Sequence, residues 1–200
     1  MNTGQYKTIK NKSEATFRDR GSRFVAYSGP VSDQSEIAQF LEDIRKLHPT
    51  ARHICYAYRI KPLDEEWRSN DDGEPAGSAG KPILNQIRSK ELTNIIVAVV
   101  RYFGGTLLGV PGLIHAYKES TRLALEEAEI EERQITCEIY VVTHYANSGN
   151  LSTLLKKLKL DHKMSPFEDG LKVQVNVPLP HYEEVKVLLV KNGFRIESQG

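Results

Sequence analysis

The hydrophobic pattern is dominated by one continuous apolar run, IIVAVV at residues 95–100. A short run rich in β-branched residues is typical of a strand that is buried on both faces. It is followed by polar and aromatic residues at 101–103 and by the pair Gly104 and Gly105, and the pattern becomes helical from Leu113. We therefore predict a core strand, a glycine-rich crossing and a helix.

The pattern before this run predicts a hairpin, a helix and a strand. Alternating residues at 15–19 and 23–27 flank Gly21 and indicate two strands joined by a short turn. Asp33 and Glu36 have the spacing of a capping box, and apolar residues at 37, 40, 41, 44 and 47 predict a helix that ends before Pro49. Residues 52–60 predict a strand, residues 61–81 a long loop, and Pro82 the first position of a short helix.

The pattern after residue 134 is that of a separate unit. Its strand and helix signals follow the order β-α-β-β-α-β, which is the order of the ferredoxin-like split. A clean alternation places Val173, Val175 and Val177 on the buried side of one strand. We therefore predict an α+β protein with two domains, at residues 1–134 and 135–200.

Composition limits the classes of partner. The net charge is only +1, so neither domain carries the positive excess of a protein that binds duplex DNA. No apolar run approaches the roughly 20 residues that span a bilayer, and the N-terminal residues lack the apolar segment of a secretory signal. Cys55 and Cys137 are far apart and are interpreted as reduced core thiols. These features favour a cytoplasmic protein.

The loop at residues 71–80, DDGEPAGSAG, carries the most suggestive chemistry. Asp71, Asp72 and Glu74 offer oxygen ligands for Mg²⁺ or Ca²⁺, although their spacing does not fit an EF-hand. The pattern favours a structural interpretation, in which the aspartates cap turns and the glycines supply positive φ. In a third interpretation, the N–H groups before the helix receive a phosphate or a carboxylate. A Walker A motif is excluded because Pro82 replaces its Ser or Thr.

Arg101 has two interpretations that the sequence leaves open. With Tyr102 and the neighbouring aromatic residue, its guanidinium is suited to a phosphate or a stacked base. Alternatively, it pairs with a carboxylate of the 71–80 loop. His53 and Cys55 fall on one strand face but no further ligand motif completes a zinc site, and neither HExxH nor GxSxG is present. The sequence therefore gives no motif for a peptidase or an esterase.

Four blocks of the sequence resemble the IMPACT family, in its bacterial YigZ-like branch. They are SRF at 22–24, HPTARHIC at 48–55, DDGEPAGSAGKP at 71–82, and VVRYFGG at 99–105 with LG, GL and AY after it. The resemblance implies a first domain with the ribosomal protein S5 domain 2-like fold and a ferredoxin-like second domain, as in domains IV and V of elongation factor G. Val110 and Pro111 depart from the family pattern, which usually has small residues there.

The resemblance also implies a role, because eukaryotic members regulate translation by blocking the activation of an amino-acid-starvation kinase through its ribosome-associated activator. We expect a non-enzymatic, translation-associated regulator that binds structured RNA, the ribosome or a ribosome-associated protein, with no cofactor and no metal. The expected binding residues are Arg23, Asp71, Asp72, Glu74, Lys81, Arg101, Tyr102, Gly104 and Gly105. Two alternatives remain open: an enzyme, such as a metal-assisted hydrolase, that uses residues 71–80 and Arg101, and a pure protein-docking module.

Overall fold

The structure is a computed structural model that describes residues 4–197, so the ends of the two predicted domain ranges, residues 1–3 and 198–200, lie outside the described residues. The protein mixes helices and strands, as predicted for the α+β class. It divides into two compact units, Tyr6–Arg133 and a smaller one formed by residues 4–5 and 134–197. No helix within residues 4–197 is long and apolar enough to cross a membrane.

The larger unit is built on a five-stranded antiparallel sheet in the order β2-β3-β6-β4-β5. Two further strands, β1 and β7, pair with each other in a separate small sheet. The bounds are β1 Gln5–Ile9, β2 Ser13–Asp19, β3 Ser22–Pro30, β4 His53–Ile60, β5 Glu66–Asn70, β6 Ile95–Tyr102 and β7 Ile130–Gln134. The predicted core run is the central strand β6, and the prediction that both of its faces are buried is confirmed.

Helices cover both faces of this sheet. Helix α1, Gln34–Leu47, packs Ile37, Phe40 and Ile44 on one face, while α2, Gly80–Ser89, and α3, Gly109–Glu126, cover the other. Residues 95–100 have no exposed surface, because they alternate between these two cores. Burying a side chain of this size contributes about 1.5–3 kcal/mol, so β6 is the energetic centre of the unit.

Several sequence predictions for the larger unit are wrong in detail. The predicted loop at 61–81 contains the edge strand β5, and α2 begins at Gly80 rather than at Pro82. Helix α3 begins at Gly109, before the predicted Leu113. Strands β1 and β7 were not predicted. These short strands alternate poorly because they lie at edges, where backbone pairing rather than burial defines the strand.

The smaller unit contains a four-stranded antiparallel sheet in the order β11-β8-β10-β9. Its elements are β8 Thr136–His144, α4 Ser148–Lys157, β9 His162–Phe167, β10 Gly170–Pro178, α5 Tyr182–Lys191 and β11 Arg195–Glu197. The predicted alternation of β10 is confirmed, since Val173, Val175 and Val177 are buried with apolar residues of α4 and α5. The opposite face of the sheet carries the polar residues of these strands.

Candidate functional site

The end of β6 presents two different faces. Arg101 lies opposite Phe24 of β3, and the next residue, Tyr102, lies opposite Arg23. Because side chains alternate along a strand, Arg101 points toward α2 and α3 while Tyr102 and Arg23 lie on the α1 face. The sheet therefore separates Arg23 and Tyr102 from the other expected binding residues, whereas Arg101 and the 71–80 loop meet on the α2–α3 side.

On the α2–α3 face, Arg101 forms a buried ion pair with Glu74. Its Nη1 donates to both carboxylate oxygens, at 2.8 and 2.9 Å, and the side chain of Arg101 is only 9% exposed. Its guanidinium carbon lies over the rings of Phe24 and Phe103, 5.7 Å from each centroid. Of the two interpretations left open by the sequence, the pairing with a loop carboxylate is the one observed, and it leaves Arg101 poorly placed to contact a phosphate.

The hydroxyl of Tyr117 extends this buried cluster. It donates to Glu74 Oε1 at 2.8 Å and lies 3.3 Å from the Cys55 sulfur, which is also 2.9 Å from the carbonyl oxygen of Asp71. Burial is the main cause that raises the pKa of the Cys55 thiol and of the Tyr117 hydroxyl well above their usual ranges. Both groups are therefore neutral hydrogen-bonding elements, and Cys55 is not an activated nucleophile.

The two aspartates of the loop serve its own backbone. Asp71 accepts hydrogen bonds from the N–H groups of Gly77, Ala79 and Gly80, at 2.9, 3.0 and 2.8 Å, and so caps the start of α2. The N–H groups that were expected to receive a phosphate or a carboxylate are thus bound by a carboxylate of the chain itself. Asp72 accepts from the N–H of Ile54 at 2.7 Å, which fastens the loop to β4.

The loop carboxylates are therefore all engaged with donors of the protein. Within the part of the chain that the structure describes, no group of three His, Cys, Asp or Glu side chains is arranged to hold a metal ion. His53 lies beside the loop, where its Nδ1 is 2.7 Å from the carbonyl oxygen of Asp72 and donates to it. These contacts agree with the structural interpretation of the 71–80 loop.

The two glycines among the expected binding residues, Gly104 and Gly105, determine the path of the backbone after β6. A Cβ on Gly104 would lie 1.9 Å from the backbone carbon of Gly21, so only glycine allows this close approach to the β2–β3 turn. The N–H of Gly104 donates to the Ser22 hydroxyl at 3.2 Å. Gly105 has a φ of +89° and faces open space, which makes it the residue that turns the chain. Lys81 is exposed in the first turn of α2.

On the α1 face, Arg23 stacks on Tyr102, with its guanidinium carbon 4.5 Å from the ring centroid. The Tyr102 hydroxyl lies 2.7 Å from His48 Nδ1, and His48 Nε2 lies 2.8 Å from the hydroxyl of Tyr27. Arg18 of β2 is directly opposite Arg23. We call Arg18, Arg23, Tyr102, His48 and Tyr27 the arginine–tyrosine row.

Electrostatics in the arginine–tyrosine row keep the positive charge on the arginines. Burial, and then the charge of Arg23, lower the pKa of His48 below its usual value. Burial, and then the nearby Glu14, raise the pKa of Tyr27 to about 12. Within residues 4–197, neither Arg18 nor Arg23 forms a salt bridge with a carboxylate. This row is therefore a cationic and aromatic surface at neutral pH.

Sequence reasoning missed three members of this row: Arg18, His48 as a link and Tyr27. The signal was present for Arg18, because a two-residue turn at 20–21 in the predicted hairpin sets it against Arg23. It was absent for His48, whose contacts with Tyr27 and Tyr102 join residues 21 and 54 positions apart. Such contacts follow from packing of α1 on the sheet rather than from local pattern.

Known proteins resemble this chain over most of its length. The sequence profile of the Impact N-terminal domain matches residues 20–125. A curated relative from Bacillus subtilis (strain 168), "IMPACT family member YvyE", is 32% identical over 172 residues, which are 86% of this chain and 79% of that protein. All members of the arginine–tyrosine row except Arg18 lie inside the profile match, as do Glu74 and Arg101.

Two solved structures were compared with the fold. A crystal structure of a hypothetical protein is 25% identical, covers 99% of this chain and 98% of that one, and has a TM-score of 0.82. A structure described as the two-domain translational regulator Yih1 is 27% identical over 63% of this chain and 48% of that one, with a TM-score of 0.39. The first match extends across both compact units of the chain.

Proposed function

The chain belongs to the IMPACT family, and from this membership we propose that it is a non-enzymatic, cytoplasmic regulator associated with translation that binds structured RNA of the ribosome. Eukaryotic members of the family regulate translation, as the resemblance in sequence implies. The contact surface in this proposal is the arginine–tyrosine row together with the exposed Arg52, which immediately precedes β4. A ribosome-associated protein is the alternative partner.

One observation carries the choice of surface: Arg23 lies over the ring of Tyr102 and opposite Arg18, and neither arginine forms a salt bridge among the described residues. A guanidinium is charged at every physiological pH and matches the geometry of a phosphate. A neighbouring aromatic ring supports stacking of an unpaired base. The row therefore combines the two kinds of contact by which proteins bind RNA.

The other predicted residues support the site rather than form it. Glu74 neutralises Arg101, and Asp71 and Asp72 are occupied by backbone N–H groups, so the loop at 71–80 is a scaffold for β4 and α2. The enzyme alternative required those carboxylates for a metal or a substrate. Their existing partners favour binding over hydrolysis as the function of this domain.

The proposal includes the fold types implied by the resemblance. The order β8-α4-β9-β10-α5-β11, with the sheet order β11-β8-β10-β9, supports a ferredoxin-like second domain. We assign the ribosomal protein S5 domain 2-like fold to the first domain on the resemblance, with the boundary between residues 134 and 135. The proposed RNA contact uses residues of the first domain alone.

The test measures binding of a fluorescein-labelled RNA hairpin over a range of salt concentrations. We expect the triple variant Arg18→Gln, Arg23→Gln and Arg52→Gln to bind more weakly. Its slope of log K against log salt should fall by about 0.7–0.9 for each phosphate that an arginine no longer neutralises. The matched control removes three cations from the smaller unit, Lys156→Gln, Lys157→Gln and Lys159→Gln. Equally weakened binding by the two variants, or no binding by the natural chain, would contradict the proposal.

A further inference from the structure

Apolar side chains are exposed along the segment that joins β6 to α3 and in the first turns of α3. Phe103 is 58% exposed and Leu107 is 82% exposed, and Val110 and Ile114 in the first turns of α3 are also exposed. Single exposed apolar residues are normal, whereas a run of them on one element marks an interaction surface. We call these four residues the apolar strip.

The apolar strip shares Ile114 with a groove between α2 and α3. The groove has a volume of about 400 Å³ and is lined by Lys81, Asn85 and Gln86 of α2 and by Ile114 and Lys118 of α3. Val110, Ile114 and Lys118 are spaced by one helical turn and so lie along one side of α3. The surface therefore has an apolar strip that continues into a groove with two lysines.

The charge around the groove has one sign. Its lining residues include no Asp or Glu, and within residues 4–197 neither Lys81 nor Lys118 lies within salt-bridge distance of a carboxylate. The neighbouring Glu119 is paired with Arg122 at 2.9 Å. Free carboxylates on a ligand would thus find two unpaired ammonium groups and two amide side chains.

From this pattern we infer that the α2–α3 groove docks an acidic amphipathic helix of a partner protein. Its apolar stripe would cover Leu107, Val110 and Ile114, and its flanking carboxylates would meet Lys81 and Lys118. RNA fits poorly, because aliphatic side chains give a phosphate or a sugar nothing to bind. A symmetric pairing of two copies fits poorly as well, because a two-fold interface needs a self-complementary patch, and the groove is lined by two lysines and no Asp or Glu. The inference goes beyond the proposed RNA contact and uses none of its residues.

The probe is a fluorescein-labelled amphipathic peptide of about 18 residues, with leucines on one side and glutamates on the other. A second peptide carries lysines in place of the glutamates. Fluorescence polarisation with the full chain should show the glutamate peptide binding about tenfold more tightly than the lysine peptide. The variant Ile114→Glu should abolish this binding while the chain still unfolds cooperatively in urea, because Ile114 is at the surface.

A charge reversal tests whether the two lysines determine which peptide is preferred. In the double variant Lys81→Glu and Lys118→Glu, the preference should invert, so that the lysine peptide binds more tightly than the glutamate peptide. The variant Arg18→Gln, Arg23→Gln and Arg52→Gln is the control and should leave both peptide affinities unchanged.

Four results would overturn the inference. The first two are no binding of the glutamate peptide at millimolar concentration and an unchanged preference in the reversed variant. The third is that the chain binds vesicles that contain anionic lipid but binds neither peptide. The fourth is that the chain forms a dimer that Ile114→Glu dissociates. Loss of RNA binding in the triple-arginine variant bears on the proposed function and leaves this inference untouched, so the failures of the two proposals are distinguishable.

Discussion

The two faces at the end of β6 use the same residue type in opposite ways. Arg101 is buried, lies over two aromatic rings and is neutralised by Glu74. Arg23, on the neighbouring strand β3, lies opposite Tyr102, the residue that follows Arg101. It stacks on Tyr102 and has no carboxylate partner among the described residues. The difference shows that partners, rather than residue type or sequence neighbourhood, decide whether an arginine stabilises the fold or remains available to a ligand.

The largest expected effect is on the buried face. In Glu74→Gln the charge of Arg101 stays buried without a counter-charge, and we expect the free energy of unfolding to fall by about 3–5 kcal/mol. Urea unfolding measures this change. The double variant Glu74→Gln and Arg101→Met removes both charges and should be destabilised by less than the sum of the single variants.

The variant Glu74→Gln also tests whether the two faces are independent. The affinity of the folded fraction of Glu74→Gln for the RNA hairpin should equal that of the natural chain, since the arginine–tyrosine row is untouched. A loss of stability below about 1 kcal/mol, the value of an exposed pair, would show that the Arg101–Glu74 pair is not buried in solution.

An intermediate effect is expected at the helix caps on the two faces. Asp71 accepts three backbone N–H groups before α2, whereas Asp33 accepts one, from Glu36 at 2.9 Å, before α1. We expect Asp71→Ala to lower the free energy of unfolding by about 2 kcal/mol or more, and Asp33→Ala by about 1 kcal/mol. Equal effects of the two substitutions in urea unfolding would contradict the special role of Asp71.

The smallest effect concerns pH. Because burial and Arg23 lower the pKa of His48, the folded state binds fewer protons than the unfolded state. The stability contributed by this site is therefore complete above the unfolded histidine pKa of about 6.5, and is lost as the pH falls through the lower folded value. His48→Gln should show a weaker fall of the urea midpoint between about pH 7.5 and pH 5 than the natural chain.

A histidine titration followed by NMR separates the causes. In Arg23→Gln, the pKa of His48 should rise toward its usual value, since one of the two lowering influences is gone. Identical pH dependence of the natural chain and His48→Gln would show that His48 is not coupled to folding.

Local pattern predicted the core strand, the hairpin and most helices, because burial imposes a period on their sequences. It failed for β5, an edge strand whose residues are polar except for the exposed Trp67, and for β1 and β7. The resemblance identified the family, which the comparisons confirm. Adjacent residues of a strand point to opposite faces, so the separation of Arg101 from Tyr102 was readable from the predicted strand itself.

The side-chain contacts on each face could not be predicted from the sequence pattern. Glu74 pairs with Arg101 across 27 positions, and His48 reaches Tyr102 across 54. The loop has three acidic residues that could pair with that arginine. The path of the loop over β4 determines that Asp71 and Asp72 accept backbone N–H groups and that Glu74 pairs with Arg101. Contacts of this kind depend on the tertiary arrangement rather than on spacing in the sequence.

In the proposed complex, RNA contacts Arg23 and not Arg101. Arginine Nε–H cross-peaks, assigned with Arg23→Gln and Arg101→Lys, can be followed by NMR while the RNA hairpin is added. The Nε of Arg101 is buried without a hydrogen-bond partner in the structure, so its signal should stay in place while that of Arg23 shifts. A shift of the Arg101 signal with an unmoved Arg23 signal would show that RNA does not bind the α1 face.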